Sequence, residues 1–122
     1  MRKQLTKAQR MQVYDKYSGH CAYCGRLIAY NEMQVDHLKP VANYRNLTEE
    51  ETRSMDNYMP ACRRCNHYKR ANSLEGWRRM IEKIPYKLDR DSYIYKVGVD
   101  YGLIEQKPHK VIFYFEREGE QE

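Results

Sequence analysis

Long apolar runs are what this chain lacks most. No stretch approaches the ~20 consecutive apolar residues that cross a bilayer, and mean hydropathy is −0.99. The segment from Met1 to Thr6 is charged and has no apolar run behind it, unlike a secretory signal. No membrane role is expected, and a cytoplasmic setting with reduced thiols is. Large aromatics other than tyrosine are scarce, with one Trp and two Phe against twelve Tyr. Tyrosines pack in small cores and also touch phosphates, so their number alone decides nothing. Internal repeats, low-complexity tracts and linkers are missing too. A chain of 122 residues without them reads as one domain over 1–122. Its core is modest, so a metal staple would be useful.

Charge is plentiful, at 32% of residues with a formal net charge of +5. The basic excess favours a polyanionic partner without identifying one.

Local patterns then predict the elements. Thr6 and Gln9 form a Thr-x-x-Gln capping box opening a helix over 6–17, with Val13, Tyr14 and Tyr17 as its apolar stripe. Ser18-Gly19 ends it. A compact turn over 20–28 follows, in which Gly25 suits an unusual backbone angle. Residues 33–38 read as a short strand closed by Pro40. A polar connection over 43–48 leads to a second capping box, Thr48 to Glu51, and a short helix to about Met55. Pro60 keeps 57–61 extended. Helices are expected over 65–71 and from Ser73 to just before Pro85, the latter with Trp77, Met80, Ile81 and Ile84 as its apolar face. A further helix is expected over 91–101, stopped by Gly102. The apolar run over 110–115 reads as a late strand, and the acidic tail from Glu116 as frayed. Tyr93-Ile94-Tyr95 reads as packing surface.

Four cysteines stand in two Cys-x-x-Cys pairs, Cys21-Ala22-Tyr23-Cys24 and Cys62-Arg63-Arg64-Cys65. Zinc takes four thiolate or imidazole ligands in a tetrahedron, and two such turns complete the shell. A disulfide pair or a redox motif is the alternative, but the thioredoxin-like βαβ unit that houses redox pairs is missing. A closed four-cysteine shell is structural rather than catalytic. The 37 residues between Cys24 and Cys62 must be folded in their own right.

Between the pairs lies Val35-Asp36-His37, and directly after the second comes Asn66. Asp36 is a hard oxygen ligand suited to Mg²⁺ or Mn²⁺. His37, with a reference pKa of about 6.5, can take a proton from water at neutral pH. Neighbours on a strand point to opposite faces, so both serve one site only if the chain bends, and Lys39-Pro40 offers a bend. Residues 62, 65, 66 and 69 follow i, i+3, i+4, i+7 spacing and share one side of a helix. Asn66 could there offer a carbonyl oxygen to a metal, and Lys69 could meet a phosphate. His67 lies about 100° around the helix and points elsewhere. Taken singly, Asp36, His37 and Asn66 each have an ordinary structural reading. Their order between the cysteines is what argues for a site.

The array Cys21-x-x-Cys24, Val35-Asp36-His37, Asn57-x-x-Pro60-x-Cys62, Cys65-Asn66-x-x-Lys69 resembles the HNH endonuclease family. The resemblance implies an α+β fold with a small ββα-metal core over 21–70, clamped by the zinc cysteines. An N-terminal helix would flank that core on one side. An extension over 73–115 would flank it on the other, with helices and the late strand. It implies His37 as general base, Asp36 and Asn66 as ligands of one Mg²⁺ or Mn²⁺, and Asn57 as the residue holding the His37 loop across the hairpin. It implies hydrolysis of DNA phosphodiesters, leaving 5′-phosphate and 3′-hydroxyl ends. Arg63, Arg64, Lys69 and Arg70 cluster on and before the metal-bearing helix and would bind the nucleic-acid backbone. Arg78, Arg79 and Lys83 are either further contacts or solvated charges. The competing readings are a zinc-stabilised nucleic-acid-binding module without catalysis and a structural zinc protein. A late apolar strand could pair with a second copy. That pattern allows a homodimer, and the family resemblance allows a phage or restriction partner protein.

Overall fold

The computed structural model describes residues 5–40 and 48–120. The described chain falls into two compact units: residues 1–74 together with 112–122, and residues 75–111. Each is taken by itself.

The first unit opens with helix α1, Lys7–Asp15, started by the reciprocal Thr6–Gln9 capping box. Ser18 and Gly19 leave the helix with positive φ. Two cations tie α1 down. Arg10 donates to the Tyr30 and Met33 carbonyls, and Lys16 donates to those of Met55, Asp56 and Tyr58. Strand β1, Gln34–His37, pairs antiparallel with β2, Tyr58–Ala61. The register sets Asp36 opposite Met59 and His37 opposite Tyr58. Helix α2, Glu49–Thr52, carries the Thr48–Glu51 capping contacts at 3.1 Å. The polar connection before it lies outside the described residues between 41 and 47. Helix α3, Arg63–Lys69, packs on β1. It starts earlier than the sequence predicts because Cys62 is itself the cap, its Sγ accepting from the Cys65 N–H.

The core of this unit is built from Val13, Ala22, Tyr23, Ile28, Met33, Tyr58, Met59, Ala61 and Phe113, with Cys21 and Cys62 among them. Phe113 corrects an expectation. The late strand over 110–115 does not form; residues 110–113 are irregular, and Tyr114–Glu120 is a helix, here α7. The acidic tail is the reason. Glu116 reaches back to the Phe113 N–H at 2.8 Å, in the manner of a capping-box glutamate. The next two N–H groups, of Tyr114 and Phe115, donate to the carbonyls of Tyr23 and Ala22. The first cysteine turn therefore satisfies the helix start that a strand would have had to pair elsewhere.

The second unit holds α4, Leu74–Glu82, α5, Ile84–Asp91, and α6, Tyr93–Asp100; the first residue of α4 belongs to the preceding unit. Pro85 opens α5 instead of only ending α4, as its fixed φ permits in a first turn. Ser92 caps α6 by accepting from the Tyr95 N–H. Trp77 is buried, and Arg78 and Glu82 grip the carbonyl and N–H of Val111. Tyr93 and Ile94 are largely exposed rather than packed. Among the described residues no helix is long and apolar enough to cross a membrane.

Candidate active site and metal clamp

The first cysteine turn is a miniature hairpin, with His20 bridging Leu27 and the Cys21 N–H donating to Arg26. Gly25 turns it with φ +82, and a Cβ there would lie 2.8 Å from the Tyr114 ring. Any side chain would meet both strain and the ring. The turn is joined to β2 by the Ala22 N–H bond to the Pro60 carbonyl. That junction brings the two pairs together. All four sulfurs lie within 4.8 Å of one another, and Cys24 and Cys62 are 3.9 Å apart. A tetrahedral centre with Zn–S of about 2.3 Å spaces its sulfurs by roughly 3.8 Å. The cluster is consistent with a zinc site, and no disulfide links its members.

Electrostatics point the same way. A hydrogen bond with Cys65 draws the Cys21 thiol down to about 4, and the same bond pushes Cys65 far up. Burial raises Cys24. Crowding thus opposes ionisation of Cys24 and Cys65, and a dication among the sulfurs would offset that opposition. The Arg26 guanidinium beside Cys62 adds further positive charge at the rim.

Asp36 is buried on β1, 6% exposed, on the side that meets α3. Its Oδ2 accepts from the Tyr23 hydroxyl at 2.6 Å and lies 3.1 Å from the Lys69 ammonium. Burial, and after it the charge of Asp36, raise the Tyr23 phenol well above its usual value, so it stays a donor. His37 is half-buried, its ring edge-on to that of Tyr58 at 5.2 Å. β1 runs in regular register through both residues, so the expected bend falls after His37 and not between the two. Asn57 makes that bend. Its carbonyl oxygen accepts from the Lys39 N–H at 2.8 Å, its amide donates to the Lys39 carbonyl at 3.1 Å, and its main chain accepts from Leu38.

Lys69 departs from its expected place. It is fully buried, and its ammonium bonds the His37 carbonyl at 3.0 Å as well as Asp36, so it meets no external phosphate. The i+7 spacing from Cys62 puts Lys69 on the cysteine side of α3, but it is the packing of α3 on β1, not the spacing, that buries it. Asn66 sits half-buried one turn before Lys69 on α3, and His67 is exposed. Arg63, Arg64 and Arg70 are exposed, and Arg70 closes α3 with φ 50 and ψ −131. Tyr23 carried no sequence signal beyond its position between two zinc-type cysteines.

This geometry couples a four-cysteine clamp to a hairpin carrying Asp36 and His37, whose side chains leave opposite faces of the regular strand, and to a helix carrying Asn66, the arrangement of a ββα-type core. Residues 21–72 match the family model of the HNH endonucleases, and that segment is an HNH endonuclease domain. No curated protein matches the chain.

Proposed function

We propose that this protein is a DNA endonuclease that depends on one divalent ion, Mg²⁺ or Mn²⁺, held by Asp36 and Asn66, with zinc in the cysteine clamp. When bound, that ion would neutralise charge on a phosphate oxygen and on the leaving 3′ oxygen. The donor set suits it: a carboxylate and an amide carbonyl are hard oxygen ligands. His37 takes the proton of the attacking water, which approaches phosphorus in line. Asn57 holds Leu38 and Lys39, so the chain carrying His37 keeps a fixed exit. Lys69 holds the His37 carbonyl at the start of that same exit.

What carries this reading is the immobilisation of Asp36 and His37 from several sides within an HNH domain. A zinc module that only bound nucleic acid would have no use for it. The test is nicking of supercoiled plasmid with Mg²⁺ or Mn²⁺, comparing the protein with His37→Ala. Equal cleavage by both removes His37 as the base. Salt-dependent DNA binding without cleavage under any divalent ion favours the non-catalytic module.

Arg63, Arg64 and Arg70 supply the backbone contacts in this reading. The Arg63→Ala/Arg64→Ala protein is expected to lower the slope of log affinity against log salt by about 2, roughly 1 per lost phosphate contact. A slope equal to that of the parent in a fluorescence-anisotropy titration would remove both arginines from the interface. Arg70 is expected to show effects of opposite sign. Its backbone conformation costs a side chain about 1–3 kcal/mol, so Arg70→Gly should raise the melting temperature by several degrees while weakening DNA binding. A fall in melting temperature would show that the guanidinium supports the fold.

A further inference from the structure

Both halves of the cysteine clamp send one donor to the same carboxylate oxygen. Tyr23 stands between Cys21 and Cys24, and Lys69 lies on the helix that begins at the second pair. Their hydroxyl and ammonium meet at Asp36 Oδ2, at 2.6 and 3.1 Å. Among the described residues, none donates a hydrogen bond to Oδ1. Both donors are fixed. Tyr23 is 3% exposed and Lys69 is fully buried. The Phe113 and Phe115 rings stand edge-on to that of Tyr23 at 5.6 and 6.1 Å.

We propose that Tyr23 and Lys69 are positioning residues that commit Oδ2 of Asp36 to the protein, leaving Oδ1 alone to ligate the divalent ion. The inference rests on the proposed role of Asp36 as a ligand. It adds the mode of ligation and the residues that impose it. A carboxylate with two donors on one oxygen resists swinging to chelate through both, because chelation would disrupt the buried hydrogen bond from Tyr23 and the buried ion pair with Lys69 together. Fixed monodentate binding places the ion at one point relative to His37. The Lys69 ammonium also offsets the charge of Asp36, so the two bring no net negative charge to the ion. DNA phosphates therefore supply part of the ion's neutralisation, and tight binding of the ion is tied to the presence of substrate.

The experiment is infrared difference spectroscopy of Mg²⁺ addition to the His37→Ala protein, with Asp36→Asn in the same background identifying the Asp36 bands. The expected result is a wide separation of the asymmetric and symmetric carboxylate stretches, the signature of one-oxygen ligation. Adding Tyr23→Phe, which keeps the ring and its packing, is expected to narrow that separation. In the His37-containing protein, Tyr23→Phe should lower cleavage about tenfold or more, as misplacement of a reacting group does, with zinc content unchanged. A narrow separation already present with Tyr23 in place overturns the proposal without need of the variant. So does an unchanged separation in a folded Tyr23→Phe protein. No Asp36-dependent band at all removes Asp36 as a ligand and the proposal with it. Plasmid nicking by the unaltered protein tests the nuclease reading separately.

Discussion

Replacing His37 by alanine is expected to cut plasmid nicking by about 10²–10⁴-fold, the range that a positioned general base contributes. The fold and the metal content should be retained. His37 is held through its backbone: its carbonyl accepts from Lys69, and it pairs with Tyr58 across the hairpin. Neither contact uses the imidazole. The side chain is only half-buried, so truncation leaves no deep cavity. The loss should fall on the rate of cleavage and leave DNA affinity within about twofold, since the arginines proposed to contact the backbone are elsewhere. Single-turnover cleavage alongside an anisotropy titration separates the two quantities. A variant that binds poorly and cleaves at the parental rate when saturated would place His37 in substrate binding instead.

The second large effect is structural. Cys62→Ser is expected to release the clamp metal and abolish cooperative unfolding of the first unit. Zinc in small four-ligand sites contributes about 10–16 kcal/mol of apparent binding energy, as much as the whole net stability of an ordinary domain, about 5–15 kcal/mol. Cys62 also ties the second pair to the first and to α3. Its N–H donates to the Cys21 sulfur, its own sulfur accepts from the Cys65 N–H, and its carbonyl begins α3 by accepting from Asn66. A serine oxygen could still cap the helix, but it is a poor soft ligand and sits short of the sulfur position. Metal analysis and thermal melting read the outcome. A protein that keeps stoichiometric zinc and its melting transition would refute the clamp.

Much of this was legible in the residues because the strongest signals are local. The Thr6–Gln9 and Thr48–Glu51 boxes need only four residues each, and the hairpin is marked by Pro40 just beyond β1 and Pro60 within β2. The cysteine pairs announce their own convergence through spacing. Three features were not legible, and all depend on distant contacts. The run over 110–115 has the composition of a strand. It becomes irregular chain and a helix start because the first cysteine turn offers carbonyls to Tyr114 and Phe115. Lys69 looks like a surface cation until the helix carrying it is laid on β1. Tyr23 looks like filler in a Cys-x-x-Cys turn until Asp36 is brought beside it. Composition describes a residue's tendencies, while these three places are decided by which backbone arrives next to them.

The return of the chain at Phe113 to Phe115 sets a schedule for the molecule. The four cysteines and Asp36 are all synthesised by Cys65, yet the rings that hold Tyr23 arrive about 50 residues later. At ~5–20 residues per second that is a delay of roughly 3–10 s. During it the nascent chain can gather its metal-binding thiols but lacks the aromatic support around Tyr23 and the helix packed on that turn. A protein made in this order completes the surroundings of Tyr23 late, after residues 75–111 have been translated. A ribosome stalled between Arg70 and Phe113 would therefore have made every side chain of the proposed site with their supporting contacts still unmade.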